Sequence, residues 1–221
     1  MKNLDSLDKA LDKSINLLKE SEFYQQLSTG KNAKKLYTKY LEYAYHYVCQ
    51  SSSFTPLAAR RMNIEYISTR KWILEHSAEE LGHETMALDD LELLGLDKET
   101  VKSGEVPTGV LAWVSFFYYK VSVDNPFCAF GVLYFLEGMA KHLAPGLLPG
   151  IAQCLADNEK AATSFFKEHG DLDADHVAEQ QDILLNIDID AEDEAAIIAT
   201  IEQAGKIKRF MLDSLVNELG V

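Results

Sequence analysis

The chain has 221 residues, 47% of them hydrophobic, and a formal net charge of −14, which suits a single domain over residues 1–221 with one continuous core. Its basic clusters are confined to Lys31 to Lys35 and Lys206 to Arg209, so nucleic acid is excluded as an expected partner. The longest apolar stretch, from Val106 to Val123, is interrupted by Pro107, Ser115 and Lys120, the first residues lack a signal-peptide core, and Cys49, Cys128 and Cys154 are odd in number; no membrane span or disulfide framework is expected, and the chain reads as cytoplasmic.

Leu4, Leu7, Leu11, Ile15 and Leu18 follow the helical period, which predicts a first amphipathic helix punctuated by Ser21 and Gly30. Asn32 to Gln50 reads as a second, tyrosine-rich helix ending at the Ser51 to Ser53 triplet. Thr55 as N-cap with Pro56 at the first helical position predicts a third start. That segment extends to Leu94, with a break expected near Ser68 to Lys71 and a stop at Gly95.

Gly104 and Pro107 mark the next loop. Thr108 to Val123 and Pro126 to Leu143 read as an apolar antiparallel helical pair at the centre, and Pro145-Gly146 and Pro149-Gly150 as turns. Ile151 to Leu185 forms a further helical segment, Asp188 to Ala191 a polar turn, and Glu192 to Leu219 a closing helix. With no convincing strand and no repeat, the fold class is all-α, one helical bundle of about seven or eight helices.

The chemistry concentrates in His169-Gly-Asp-Leu-Asp173-Ala-Asp-His176. Offsets of 0, 4 and 7 on a helix place Asp173 about 40° to one side of His169 and His176 about 20° to the other. Two imidazoles and a carboxylate can thus converge on one site. Glu80-Leu-Gly-His83 adds a carboxylate and an imidazole at i and i+3, the device of di-iron carboxylate bundles. Glu137 lies in the apolar run Val132 to Met139, where an unpaired carboxylate is costly to bury.

Three imidazoles and three carboxylates, without a thiolate, suit iron or manganese, and six ligands exceed one tetrahedral zinc site. Other assignments stay open. His76 lies seven residues before His83 on the same face, as an alternative ligand or an outer hydrogen-bond donor, and Glu79 competes with Glu80. His46 and His142 read as packing or surface groups. Glycine adjoins a candidate ligand at Gly82, Gly138 and Gly170, which implies close backbone approach or, at Gly170, a helix break.

The motifs and the separations of 54 residues from His83 to Glu137 and 32 from Glu137 to His169 resemble the haem-oxygenase-like di-iron oxidases, relatives by fold of thiaminase II and pyrroloquinoline quinone synthase. The resemblance spans most of the chain. It implies two non-haem iron ions held by Glu80, His83, Glu137, His169, Asp173 and His176, with Glu137 bridging and the second iron weakly held. It also implies O2 as co-substrate and oxidation of a small organic molecule by C–H abstraction, C–C cleavage or N-oxygenation. Some members carry a glutamate two turns before the first histidine, where this chain has His76.

Trp113 to Tyr119 with Phe127, Phe130 and Tyr134 could line an apolar substrate pocket or simply pack the core, and Lys120 and Lys141 could meet a substrate carboxylate or solvent. Two competing functions use the same fold. One is a metal-free thiaminase-like hydrolase with Cys128 as nucleophile; the other is an iron- or ligand-binding protein without turnover. A haem oxygenase would need an axial histidine on an early helix, and the first 45 residues have none. Bundles with exposed apolar helix faces commonly dimerise, which makes a homodimer the expected assembly to test.

Overall fold

A computed structural model of the chain describes residues 3–159 and 161–221, and for residues 168–175 the backbone alone. Among the described residues it is α-helical without strands: α1 (Asp5–Lys19), α2 (Glu22–Ser28), α3 (Ala33–Val48), α4 (Ser51–Arg61), α5 (Ile67–Glu79), α6 (Glu84–Leu93), α7 (Lys98–Lys102), α8 (Thr108–Ser122), α9 (Cys128–Cys154), α10 (Ser164–Asn186) and α11 (Ala191–Leu219). The all-α expectation holds. The count exceeds seven or eight because α2 and α7 are short separate helices and the segment before Leu94 divides into three.

Local chemistry explains several boundaries. Ser21 caps α2 by accepting from the Tyr24 N–H at 3.1 Å, and Asp190 caps α11 by accepting from the N–H groups of Glu192 and Asp193, satisfying donors that a helix start leaves orphaned. Gly95, at φ +90°, follows the end of α6 in a left-handed conformation that glycine adopts without a Cβ penalty.

Other boundaries differ from the sequence reading. α4 begins at Ser51, so Pro56 lies inside it rather than at its first turn. A proline there cannot donate to the Ser52 carbonyl, and the Ser77 hydroxyl donates to that oxygen instead, at 2.7 Å. The break falls at Met62 and Asn63, not near Ser68 to Lys71; just before it, Arg61 donates to the Val121 and Asp124 carbonyls at the end of α8. α9 continues as one helix through Pro145 and Pro149 where turns were expected. Both prolines and Lys141 are exposed, so the carbonyls of Lys141 and Pro145 that lose a donor face water, while Leu143, Ala144, Leu147 and Ile151 on the other side are buried and each larger side chain contributes about 1.5–3 kcal/mol.

α9 and α11 form the spine. α9 packs along α10 and α11 with α2 and α1 across it; α8 lies mainly on α11, so the expected α8/α9 pair is secondary. α10 runs unbroken through Gly170. Its start is held from outside by Asp90 of α6, which is fully buried and accepts from the Ser164 N–H and hydroxyl, the Phe165 N–H and the Tyr37 hydroxyl. A carboxylate at a helix N-terminus is stabilised by the unpaired N–H groups and the dipole. Asp90→Ala orphans these buried donors, and a loss of about 3 kcal/mol is expected, read as a fall in melting temperature of about 6–12 °C. An unchanged melting temperature would remove Asp90 from this role.

Candidate metal centre

Three elements bring the ligand-type side chains together. α5 presents His76, which is buried and lies on the Trp72 ring with centroids 5.3 Å apart. Trp72 also stacks on Phe130 and its indole N–H donates to Glu179 at 3.3 Å, so the imidazole rests on a fixed platform. The chain then leaves α5 at Glu80 and enters α6 after His83. Gly82, at φ +95°, makes this turn, a conformation that strains any side chain. The pair Glu80 and His83 therefore flanks a turn rather than sharing one helix face, and it reaches the site because the turn folds back.

α9 contributes Glu137, 5% exposed. Gly138 beside it lets α1 approach, since a Cβ there would lie 2.5 Å from Leu11 Cδ2. α10 contributes His176. Its side chain meets His76 edge to face at 4.9 Å.

One ligand atom from each of His76, Glu137 and His176 lies within 4.8 Å of the others. His76 Nε2 is 3.6 Å and His176 Nδ1 3.8 Å from Glu137 Oε1. Glu80 extends the cluster, with Oε1 3.9 Å from His76 Nε2 and Oε2 3.7 Å from His83 Nδ1. Glu79 Oε2 stands 3.4 Å from His176 Nε2. The separations from Glu137 and Glu80, 3.6–3.9 Å, exceed hydrogen-bond lengths. Among the described residues, the buried His76 Nε2 and His176 Nδ1 have no hydrogen-bond partner.

Donors about 2.0–2.2 Å from a shared ion lie about 3–4.3 Å apart, so the spacing fits a cation between the groups better than direct pairing. Burial, then the neighbouring imidazoles of His176 and His83, pull the His76 pKa down to about 4. The ring is neutral at pH 7, with a lone pair available.

Of the residues expected from sequence, the structure brings Glu80, His83, Glu137 and His176 into one cluster. His169 and Asp173 lie on α10, and their side chains fall outside the described residues. His76 sits at the cluster's centre; its signal was the seven-residue spacing to His83. His46 is partly buried, with burial lowering its pKa, and His142 is exposed on α9. Cys128 is buried, burial pushes its thiol pKa up, and its Sγ faces the Ala196 carbonyl at 3.8 Å. That is a poor setting for a nucleophilic thiolate.

An apolar cavity opens onto the carboxylates, with Glu80 and Glu137 in its wall. Its aromatic residues are mainly Phe23, Tyr40, Tyr47, Phe54, Phe165 and Phe166. Of the run from Trp113 to Tyr119 only Phe117 is among the described lining residues; Trp113 packs in the core. Lys120 is buried and paired with Asp124 at 2.5 Å, and Lys141 is exposed. Among the described lining residues the basic group is instead Lys208, which sequence reading passed over. Its signal was a lysine in register with the apolar stripe Ile197, Ile201, Ala204, Leu212 and Leu215 of α11.

A family model described as "Iron-containing redox enzyme" matches residues 38–208. Similar solved structures include a domain of unknown function with a heme oxygenase-like fold from Shewanella denitrificans, 25% identical with a TM-score of 0.87, covering 99% of this chain and 94% of that one. A TenA homolog from Pseudomonas syringae is 16% identical with a TM-score of 0.78, covering 96% and 93%. A TenA homologue from Pyrococcus furiosus is 12% identical with a TM-score of 0.70, covering 95% and 99%. No curated protein matches. Matched over most of its length, and similar throughout to structures of heme oxygenase-like fold, the chain belongs to the family of iron-containing redox enzymes.

Proposed function

We propose that this protein is a non-haem di-iron oxidase or oxygenase that uses O2 on a small, largely apolar organic substrate. The observation that carries the reading is the converging set of His76, Glu137 and His176, with donor atoms within 4.8 Å yet spaced beyond hydrogen-bond length. Glu80 and His83 extend that set, and the resemblance to di-iron oxidases adds His169 and Asp173 to the ligands. His76 holds the place of the family glutamate two turns before His83, either as a ligand itself or as the donor that orients Glu80.

Iron supplies the electron transfer to O2 that side chains cannot. The residues prepare its site. His76 stays neutral on its Trp72 platform and offers Nε2. Glu79, facing His176 Nε2, favours the tautomer whose proton sits there, leaving the Nδ1 lone pair toward Glu137. Glu137 places a negative charge between the two imidazoles, offsetting cationic charge in a buried setting. The apolar cavity walls keep bulk water from the reacting groups and orient an apolar substrate against them.

The test is metal content after anaerobic ferrous loading, with an optical scan and an O2 electrode trace on exposure to O2. Two irons per chain, a transient visible band and stoichiometric O2 consumption in a single turnover are expected. Iron retained without O2 consumption would make this a binding protein. The absence of both iron retention and an O2 response would overturn the reading.

A further inference from the structure

Lys208 is 1% exposed on α11, yet its Nζ has no hydrogen-bond partner among the described residues. Around it stand ring faces: Tyr47 at 4.1 Å, Trp113 at 4.8 Å and Tyr40 at 5.5 Å from Nζ to centroid. Tyr40 and Tyr47 are engaged with each other through their hydroxyls, 3.0 Å apart. The aromatic faces can hold a cation, but they offer its N–H groups no oxygen. Lys208 nevertheless lines the cavity that Glu80 and Glu137 also line.

A buried ammonium without a counter-ion is a costly element. A methionine of similar length would pack the same stripe without that cost, so packing alone does not account for a lysine here. What the site lacks is an anion. The cavity follows α9 from Leu133 to Leu147, about 21 Å of helix at 1.5 Å per residue. It measures about 100 Å³, and at about 10–15 Å³ per water-sized group it holds about seven to ten such groups in a slender space.

We propose that Lys208 is the group in this cavity that reads a negative charge, binding the carboxylate of a slender apolar monoanion whose body lies along α9. The ligand's oxygens accept from the three Nζ donors, and the tyrosine and tryptophan faces shield the pair from water. Burial holds the free Lys208 pKa down to about 7, and an anion at Nζ favours the protonated form, so binding at neutral pH carries a proton onto the amine. Its functional meaning, as the specificity element for substrate, rests on the oxidase reading of the cavity. The binding itself needs no metal.

Calorimetric titration of the full chain, metal-free and after ferrous loading, with octanoate and with 1-octanol tests this directly. Octanoate is expected to bind the metal-free protein at least ten-fold more tightly than octanol. Lys208→Met is expected to lose that preference while keeping octanol affinity, with the melting curve confirming its fold. Equal affinity for the two probes, unchanged octanoate binding by Lys208→Met, or no binding of either probe would overturn the assignment. Lysine-dependent octanoate binding in a protein that retains no iron would leave the anion site standing and remove the oxidase. Full iron and O2 responses with octanoate binding indifferent to Lys208 would do the reverse.

Discussion

Glu137→Ala is expected to abolish iron retention, with affinity falling by more than about 100-fold. Outer hydrogen-bond partners of metal ligands already cost 10–100-fold, and Glu137 supplies the carboxylate between His76 and His176. Loss of iron affinity has to be told apart from any loss of fold. Equilibrium dialysis against ferrous ion, beside a melting curve of the apo form, separates the two effects. Normal iron retention by folded Glu137→Ala would sink the proposed centre. Companion variants assign the first metal position: comparable losses in Glu80→Ala and His83→Ala with a small loss in His76→Ala make His76 an orienting group, and the opposite pattern makes it the ligand.

Lys208→Met is expected to stabilise the protein by about 3 kcal/mol at pH 6.5, raising the melting temperature by about 6–12 °C. Burial alone lowers the Lys208 pKa from 10.5 to about 7. Between those values the unfolded chain holds a proton that the folded chain releases, so stability rises with pH through this window and the burial cost is greatest at and below its lower edge. At about 1.4 kcal/mol per pKa unit that cost is on the order of 5 kcal/mol, part of which the aromatic faces offset. The gain in the variant should shrink steadily toward pH 9. Melting curves at pH 6.5 and 9 decide it, and an unchanged or lower melting temperature at pH 6.5 would refute the account. A stabilising substitution at the point where ligand recognition is lost is the usual trade between stability and function.

Much of the fold was legible in the sequence because its signals are local. The leucines and isoleucines of α1, the Ser21 punctuation, the Gly95 stop and the polar turn before α11 each act within a few residues. Pro56, Pro145 and Pro149 misled because a proline's cost depends on what satisfies the freed carbonyl. The Ser77 hydroxyl does so for Ser52, from 25 residues away. On α9 the freed carbonyls face water.

The candidate centre divides in the same way. Sequence by itself determined the all-α class and the candidate ligand types, since helical periodicity and side-chain donor chemistry are properties of short segments. It also nominated Glu80, His83, Glu137 and His176, which the fold gathers, along with His169 and Asp173 on α10. Only the tertiary structure decided that His76 occupies the middle of the cluster, that Glu80 and His83 arrive on a turn made by Gly82, that Asp90 of α6 anchors α10, and that Lys208 shares a cavity wall with Glu137. Each depends on which helices touch, and that is settled by burial summed over the whole bundle, not by any one segment.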